Sequence, residues 1–403
     1  MENNLGKVYN LKVTTFSPIH IGDLNDLEPT EYVIYNGLAL EGEVVCPECG
    51  YKNKPNAKYC LNCDEELQRE AETSSNDASC LYTFSAKQLS EALSPADKNQ
   101  LLKIARTGDF VPLQKFFKNN AQKIIKTANK HSVVCAAVAK QYFTKFGDNA
   151  TPKEERNQFL IAKNISNPAT DIAYIPGSSL KGAVRTALMS KHNKSMHLDT
   201  EKYKKTTSKG DKYDASDAEK TLFGYTNPTN DPFKYLKLSD TVSDKGFLTE
   251  ICIARNYKRK SAQPALYVNV ETIPPSTVFT SQMSINAGIP QQNIDHRLPE
   301  DMASIRTACN DFYGDIMALE QSYITNQPQF YTKLKQAAQK PNAFLLRLGK
   351  HCGAENVTID DMRHIANKKS HEYMSHSTTY WLAENGRENL PFGWCVVEYD
   401  EVK

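Results

Sequence analysis

Two Cys-x-x-Cys pairs give this sequence its most specific chemical signal. Cys46 and Cys49 form the first pair, Cys60 and Cys63 form the second, and ten residues separate the pairs. Four thiolates at this spacing can surround one Zn²⁺ tetrahedrally, and the short polar segment between them suits a zinc ribbon that folds around its metal. Four free thiols or a redox pair are the alternative. Because sulfur would fill all four positions, we expect the zinc to be structural, not catalytic.

A second candidate site combines glycine, hydroxyl and basic side chains. The segment Pro176-Gly-Ser-Ser-Leu-Lys-Gly182 predicts a turn before a helix, and Lys181 and Arg185 would share one face of that helix. Free N–H groups at the start of a helix attract phosphate. The candidate contacts to an RNA backbone are therefore Gly177, Ser178, Ser179, Lys181 and Arg185. The spacing is not that of a Walker loop, and a plain turn before a helix is the alternative.

A histidine and a second glycine-rich loop provide further candidate contacts. His20 lies in Ser17-Pro-Ile-His-Ile-Gly22, where its ring could act as a general base, contact a phosphate or support the chain. No second acid or base stands at a fixed spacing, which favours the contact and structural roles over catalysis. The remaining candidate RNA contacts of these two stretches are Gly22, Gly349, Lys350, His351 and Gly353.

A basic tip between two predicted strands is the last candidate. Tyr257 precedes Lys258, Arg259 and Lys260. Stacking combined with positive charge is how proteins hold single-stranded RNA without reading its sequence. A solvated hairpin end is the alternative.

The elements that position these residues follow from local patterns. Tyr9, Leu11 and Val13 alternate with polar residues and predict a half-buried strand over residues 8–16. Strands are also predicted over residues 31–35 and 80–84, with Asn36-Gly37 as a hairpin turn. The cysteine pairs lie between them, so we expect the ribbon, from about residue 41 to residue 79, to interrupt a hairpin.

Helices are predicted mainly from their start signals. Ser85 with Gln88 forms a capping box, Ser94 precedes Pro95, and an apolar stripe indicates a third helix over residues 113–125. Further along, the patterns predict a strand over residues 172–175, a helix over 180–190, a mobile loop over 191–220, and strands over 247–256, 266–272 and 344–348.

The whole pattern predicts an α+β protein of more than one domain. An N-terminal domain with a helical insertion would contain residues 1–42 and 80–240, a zinc ribbon and its spacer would occupy residues 43–79, and a C-terminal domain would contain residues 241–403. A chain of 403 residues can bury the cores of such domains.

Composition narrows the class of protein. Hydrophobic residues make up 40% and charged residues 24% of the chain, and no apolar run approaches the ~20 residues of a membrane span. The N-terminus lacks a signal-peptide pattern, and the scattered cysteines suit a reducing compartment, so we expect a cytoplasmic protein without a membrane partner. A net charge of +2 argues against a protein that coats nucleic acid everywhere, so RNA contacts would be local.

Four stretches together resemble the RAMP superfamily of CRISPR proteins. They are Leu11-Lys-Val-Thr-Thr-Phe-Ser-Pro-Ile-His-Ile-Gly22, Tyr174-Ile-Pro-Gly-Ser-Ser-Leu-Lys-Gly-Ala-Val-Arg-Thr-Ala-Leu188, the Leu345–Gly353 stretch and Leu390-Pro-Phe-Gly-Trp394. The second is the most specific. Within the superfamily, Glu28-Pro-Thr-Glu-Tyr-Val-Ile34 before an Asn-Gly turn is similar to the fifth Csm subunit of type III-A effector complexes.

This resemblance implies a fold, partners and a role. It implies ferredoxin-like (RRM-type) βαββαβ cores and a place at the end of the complex, where the subunit binds the 3′ region of crRNA, assists its maturation and contacts other Csm subunits. Family members that cut target RNA carry an aspartate after the His-Gly turn, whereas the comparable stretch here contains Glu28 and Glu31. The resemblance therefore implies a non-catalytic subunit, although Asp23 and Asp26 lie nearby. Zinc ribbons are not general in that subunit, and His351 and Cys352 replace the small residues usual in its glycine loop.

Three functions follow as hypotheses. The leading one is a non-catalytic crRNA-binding and assembly subunit. The second is a RAMP endoribonuclease that processes crRNA or cleaves target RNA, using His20 or acidic residues with a metal. The third, compatible with the first, is an adaptor whose zinc ribbon recruits another subunit or a host nuclease.

Overall fold

The computed structural model divides the chain into two compact units. The large unit contains residues 1–25 and 162–403, and the small unit contains residues 26–161. The structure describes residues 6–36, 44–45, 48–49, 52–53, 62–63, 79–146, 159–207, 210–243, 245–286, 301–366, 373–386 and 388–402.

The chain is a mixed α/β protein. Its described α-helices are α1 (Ala86–Ala92), α2 (Pro95–Ala105), α3 (Phe110–Asn119), α4 (Ala121–Ile124), α5 (Ala136–Lys145), α6 (Gly177–Met196), α7 (Ala215–Phe223), α8 (Met302–Gln321) and α9 (Pro328–Ala338). Its described strands are β1 (Lys7–Thr15), β2 (Gly22–Leu27), β3 (Tyr32–Asn36), β4 (Val44–Val45), β5 (Lys52–Asn53), β6 (Ser79–Thr83), β7 (Asn129–Val134), β8 (Ile161–Asn164), β9 (Lys204–Thr207), β10 (Gly210–Tyr213), β11 (Leu236–Leu238), β12 (Thr249–Lys258), β13 (Pro264–Thr272), β14 (Val278–Ile285), β15 (Ala343–Arg347), β16 (Ile365–Ala366), β17 (Tyr373–Met374), β18 (Thr379–Glu384), β19 (Asn389–Pro391) and β20 (Trp394–Glu401).

An antiparallel sheet forms the centre of the large unit. Its strand order is β11-β14-β1-β20-β15, so the first strand of the chain lies between two strands from its C-terminal half. In β1, Tyr9, Leu11, Val13 and Thr15 are buried while the residues between them are more exposed. This alternation of period two is the pattern that predicted the strand, and it directs one face of β1 into the core.

Three helices cover this sheet. α6 and α8 pack against each other, α8 packs on β15, and α9 packs on β20. The buried face of α8 carries apolar residues at helical spacing, and the Asp301 side chain accepts a hydrogen bond from the Ser304 N–H at its start. The shared core is apolar and includes Phe279, Phe312 and Phe344.

A second group of strands in the large unit carries the predicted basic tip. Strand β12 pairs antiparallel with β13 on one side and with β18 on the other, and β18 pairs with β19. The β12–β13 hairpin turns after Lys258, close to the predicted tip.

The small unit is built on the strand order β3-β6-β7. Asn36 lies opposite Ser79, so the strands before and after the cysteine-rich segment pair with each other, as predicted. Asn36 itself belongs to β3 and not to the predicted two-residue turn, whose second residue, Gly37, lies outside the described residues. The capping boxes at Ser85 and Ser94 are present, with Pro95 at the start of its helix. Phe116 and Phe117 are buried members of the apolar cluster between these helices and the sheet.

Four local predictions differ from the structure. Gly177 to Ser179 are the first turn of α6 and do not form a turn before it, because Pro176 is already the N-cap. Residues 172–175 form only an isolated bridge at Ala173. Asn120 separates α3 from α4, where one helix was predicted. The described part of residues 191–220 contains the end of α6, the β9–β10 hairpin and the start of α7, so the predicted mobile loop is wrong.

Two helices, α6 and α8, reach 20 residues each. Within the described ranges, no helix is both long and apolar enough to cross a membrane.

Candidate nucleic-acid interface

Three of the four motif stretches meet in the large unit. The Lys350 N–H donates to the His20 carbonyl at 2.8 Å, and the Gly393 N–H donates to the Pro18 carbonyl at 2.9 Å. The His-Gly turn after β1 is therefore held by backbone bonds to the glycine loop after β15 and to the turn before β20. We call this assembly of residues 18–22, 349–353 and 390–394 the glycine-loop site.

Glycine is required in this site because of close backbone approach. Gly349 has φ +87°, and a Cβ atom there would collide with the carbonyl oxygen of His20. Gly393 has φ +92°, and its Cβ would lie 2.5 Å from the Leu348 carbonyl oxygen. Both glycines let two chain segments touch in a conformation that other residues rarely adopt. Their first role is thus to build the site.

His20 lies inside the glycine-loop site. The residue is 1% exposed, and its Nδ1 lies 2.7 Å from the Glu271 carbonyl oxygen. A carbonyl oxygen only accepts, so Nδ1 carries the proton of the neutral ring. Burial lowers the pKa of His20, and the nearby Lys350 charge acts in the same direction, while the bond to Glu271 opposes it. In this position the ring supports the turn and has no open path to a phosphate or a substrate.

His351 stacks on His20. The two ring centroids are 5.7 Å apart with an interplanar angle of 25°, and the centroid of the Trp381 ring lies 4.6 Å from that of His351. Burial, followed by the neighbouring His20 and Lys350, lowers the pKa of His351 to about 4. Both rings are therefore uncharged at neutral pH.

Two buried polar residues, Asn164 and Glu271, hold the His-Gly turn in place, and the sequence did not predict either of them. The Ile21 N–H donates to Asn164 Oδ1 at 2.8 Å, and the Asn164 N–H donates to Glu271 Oε2 at 2.9 Å. The Thr249 hydroxyl donates to the other Glu271 oxygen at 2.6 Å. These partners are far apart in sequence and follow no motif, so no local pattern could have brought them together.

Lys350 presents the main exposed charge of the glycine-loop site. A Cβ atom at Gly22 would lie 2.6 Å from Lys350 Nζ, which places the ammonium directly over the Gly22 backbone. Lys350 is exposed, whereas His20 beneath it is buried. A cation beside a side-chain-free backbone is a geometry that can accept a phosphate.

The basic tip is tied by its central residue, Arg259, to the turn that directly follows the glycine loop. Arg259 pairs with Glu355 at 2.8 Å and lies over the Tyr323 ring at 4.2 Å. The Ser377 N–H and hydroxyl also donate to Glu355. Arg259 is thus used in the structure, while its neighbours Lys258 and Lys260 are exposed.

The start of α6 does not join this assembly, and two of its predicted contacts are already engaged. The Gly177 N–H donates to the Asp240 carboxylate at 2.7 Å, and a Cβ at Gly177 would lie 2.5 Å from the Leu238 carbonyl oxygen. A carboxylate therefore occupies the helix end where a phosphate was predicted to bind. Ser178 is exposed, and Ser179 is half-buried.

Arg185 is held by acidic and aromatic neighbours. It pairs with Glu219 and, at 2.9 Å, with Asp231, and its guanidinium lies 4.3 Å from the centre of the Phe233 ring. The carboxylates raise the pKa of Arg185, although burial acts against them. Lys181 is half-buried, and burial lowers its pKa. Of the two basic residues, Lys181 is the one still open to a ligand.

The predicted zinc ribbon lies largely outside the described residues. Cys46 and Cys60 are among the residues that the structure does not describe, while Cys49 and Cys63 are exposed and lie in turns. The short strands β4 and β5 next to the first pair form an antiparallel pair. Within the described ranges no cluster of three or more His, Cys, Asp or Glu residues is arranged to hold a metal. With two of the four sulfurs outside those ranges, zinc binding stays a prediction.

Of the four carboxylates considered for catalysis, Asp23 and Glu31 have local structural partners. Asp23 Oδ1 accepts from the Asn25 N–H at 2.8 Å, and Glu31 Oε2 accepts from the Glu28 N–H at 3.0 Å. Asp26 is exposed in β2. These contacts order the chain after the His-Gly turn.

Comparisons with known proteins point to one family. The chain matches the model of the RAMP superfamily over residues 12–300. It is 29% identical over 244 residues to the "CRISPR system Cms protein Csm5" of Methanocaldococcus jannaschii, covering 55% of this chain and 54% of that protein. The chain thus spans about half the length of this curated relative.

Two solved structures are similar to the chain. A chain of the "Cryo-EM structure of Csm-crRNA-target RNA ternary complex in type III-A CRISPR-Cas system" is 18% identical with a TM-score of 0.58, and the match covers 97% of this chain and 100% of that one. The crystal structure of Csm5 from T. onnurineus is 18% identical with a TM-score of 0.46 over 96% and 99% of the two chains. At 18% identity and a TM-score of 0.58, the similarity to the chain of the ternary complex concerns the fold alone.

Proposed function

The chain belongs to the RAMP superfamily, and from this premise we propose that it is a non-catalytic crRNA-binding subunit of a type III-A (Csm) CRISPR effector complex. The similarity to Csm5 over 244 residues supports the choice of subunit. The finer role that we propose is to cap the 3′ end of the crRNA and to assist crRNA maturation and complex assembly.

One observation carries the proposal: the glycine-loop site brings three distant motif stretches together beneath an exposed lysine. The Lys350 ammonium lies over the Gly22 backbone, and Arg259 pairs with Glu355, which ties the lysine-bearing hairpin tip to the turn directly after the glycine loop. Backbone N–H groups and lysines bind the phosphates of an RNA whatever its base sequence. This suits a guide whose spacer varies.

The contacts proposed for the RNA backbone divide by accessibility. Lys350, Lys258 and Lys260 would meet phosphates directly, and Gly22 and Gly353 would allow the backbone to approach. His20, His351 and Gly349 would hold the site in shape, since they are engaged with each other or with the chain. A small number of local cations agrees with the net charge of +2.

The start of α6 is proposed as a secondary contact. Solvent still reaches this helix start, where Ser178 is exposed and both Ser179 and Lys181 are half-buried. Gly177 and Arg185 would act by positioning the helix, because their polar groups bind Asp240, Glu219 and Asp231.

The partners proposed are crRNA and the other Csm subunits, with a host nuclease as a further candidate, in the cytoplasm. The antiparallel sheet covered by α6, α8 and α9 supports a ferredoxin-like origin of the RAMP core. The cysteine pairs would form a structural zinc ribbon that extends from the β3–β6 hairpin and contacts a partner, since a four-sulfur site leaves no open position for a catalytic water.

The alternative is a RAMP endoribonuclease. His20 is the histidine that such a mechanism would use, but it is buried and its Nδ1 is held by the Glu271 carbonyl. A general base must come within hydrogen-bond reach of the proton that it removes. This placement favours binding over cleavage.

Two assays test the proposal together. Purified chain is incubated with 5′-labelled repeat RNA and with target RNA, with and without EDTA, and we expect the RNA to remain intact. Co-expression with the other Csm subunits should yield a complex whose guide RNA is shortened in the presence of the chain and longer in its absence. RNA cleavage that disappears in His20→Ala would establish the endoribonuclease instead.

A further inference from the structure

A cleft that adjoins the glycine-loop site at Leu390 has the chemistry of a nucleotide-binding site. It encloses about 760 Å³, within the range of small-molecule sites. Its walls come from the end of β1, the turn before β14, the first turns of α9 and the turn between β18 and β19. None of the residues predicted to bind RNA lines it.

Aromatic and amide side chains both line this cleft. Phe16 and Phe330 line it, and both are half-buried because they also pack against the core. Asn326 and Gln329 are exposed at its wall, and their side chains make no hydrogen bond within the described part of the chain. Rings that stack and amides that donate and accept together match the face and the edge of an unpaired base.

Two charged side chains line the cleft, Lys333 and Glu388. Lys333 is exposed there and forms no ion pair within the described ranges, one turn beyond the start of α9 at Pro328. No side chain among the described residues caps that helix start, so its N–H groups add to the positive charge of Lys333. Glu388 lines the cleft from the turn between β18 and β19. Lys333 beside an uncapped helix start fits a phosphate, and the uncharged side chains of the lining fit a base.

We propose that this cleft binds one or two unpaired nucleotides of single-stranded RNA. A base stacks on Phe330 or Phe16, the amides of Asn326 and Gln329 bond its edge, and its phosphate lies at Lys333 and the first turn of α9. The inference deepens the RNA-binding function proposed above and rests on it. A segment of a partner protein is the competing occupant, and the exposed amides together with two aromatic rings in one cleft favour the nucleotide.

The test compares charge and ring variants on one helix. Lys333→Glu is set against Lys335→Glu, which reverses an exposed charge two residues away on α9 but outside the cleft. Phe330→Leu removes the ring and retains apolar packing. Binding of a fluorescent single-stranded RNA is measured by anisotropy, and thermal melting verifies that each variant is folded.

We expect Lys333→Glu and Phe330→Leu each to weaken binding by about fivefold or more, while Lys335→Glu changes it by less than about twofold. RNA carrying 4-thiouridine should cross-link to a peptide that contains residues 326–333. Wild-type binding with no cross-link there and no loss in either variant overturns the inference and leaves the proposed function standing. Loss of a partner subunit from the complex in Phe330→Leu, with RNA affinity unchanged, assigns the cleft to protein and also overturns it. An absence of RNA binding by the wild type would refute the proposed function itself.

Discussion

At the scale of single residues, the two stacked histidines carry a dependence on pH. His20 and His351 are held neutral because burial lowers the pKa of each ring, that of His351 to about 4. Their role in the glycine-loop site follows from contact with each other and with the backbone, which the single motifs do not show.

We predict that acid destabilises the large unit through His351. Above about pH 6.5 the ring is neutral in both folded and unfolded chains, so it adds no pH dependence. Below about pH 6.5 the unfolded chain binds a proton that the folded chain refuses until about pH 4, so stability is lost as pH falls. Between pH 7.5 and pH 5 the loss should be on the order of 1–2 kcal/mol.

Urea unfolding at the two pH values measures this loss. His351→Gln should reduce the difference between them, whereas His376→Gln, at an exposed position, should leave it unchanged. Equal pH dependence in wild type and His351→Gln would show that the buried ring is not responsible.

A buried ion pair beside the glycine-loop site should contribute strongly to stability. Arg347 and Glu320 are 2.5 Å apart with side chains 3% and 2% exposed, and Glu320 also accepts from Trp394 and Tyr331. Glu320→Leu leaves the guanidinium buried without its charge partner and should cost about 3–5 kcal/mol. Lys340→Met, which breaks the exposed pair with Glu398, should cost less than about 1 kcal/mol. Denaturant unfolding compares the two, and similar costs would contradict the role of the buried pair.

At the scale of secondary structure, local signals were sufficient where the stabilising contacts are local. The alternation in β1, the capping box at Ser85 and the Ser94-Pro95 helix start depend on neighbours within four residues, and the structure contains them. The start of α6 was missed because its first N–H is satisfied by Asp240, sixty-three residues away. The sequence predicts a loop after α6 because β9 and β10 are polar and carry no apolar alternation.

Substitution by alanine should have opposite effects on stability at two glycines, Gly349 and Gly182. Gly349→Ala must adopt φ +87° and collide with the His20 carbonyl, so it should destabilise the chain by about 1–3 kcal/mol and weaken RNA binding. Gly182 is helical and exposed, with no atom within 4 Å of the place that an alanine methyl group would take, so Gly182→Ala should stabilise by about 0.5–1 kcal/mol. Thermal melting with an RNA-binding assay tests both. Tolerance of Gly349→Ala would remove the argument that this loop requires glycine.

At the scale of the whole molecule, family motifs predicted membership and the mixed α/β class, and the superfamily match over residues 12–300 confirms the family. Sequence could not give the two compact units, because their limits at residues 25 and 162 depend on long-range contacts. The motifs also gave no sign of which stretches meet. Three of them converge in the glycine-loop site, and the fourth, at the start of α6, does not join it.

Zinc content tests the proposed ribbon. Purified chain should contain about one zinc ion, measured by elemental analysis, and the double variant Cys49→Ser/Cys63→Ser should lose it. Because β3 and β6 pair on their own outside the ribbon, the variant should keep its secondary structure and its RNA affinity while losing a partner subunit. A wild-type protein prepared without chelators that contains no zinc would refute the ribbon.

The affinity of the purified chain for crRNA at two salt concentrations tests the central claim most directly. The variant Lys258→Glu/Lys260→Glu/Lys350→Glu alters the three exposed lysines of the tip and the glycine loop, and Lys103→Glu reverses an exposed lysine of the small unit as a control. We predict that the triple variant weakens binding at least about tenfold. The slope of log affinity against log salt concentration should also become shallower by roughly 0.7 for each phosphate contact that is lost, while the control changes neither quantity. Unchanged affinity and salt dependence in the triple variant would contradict the account.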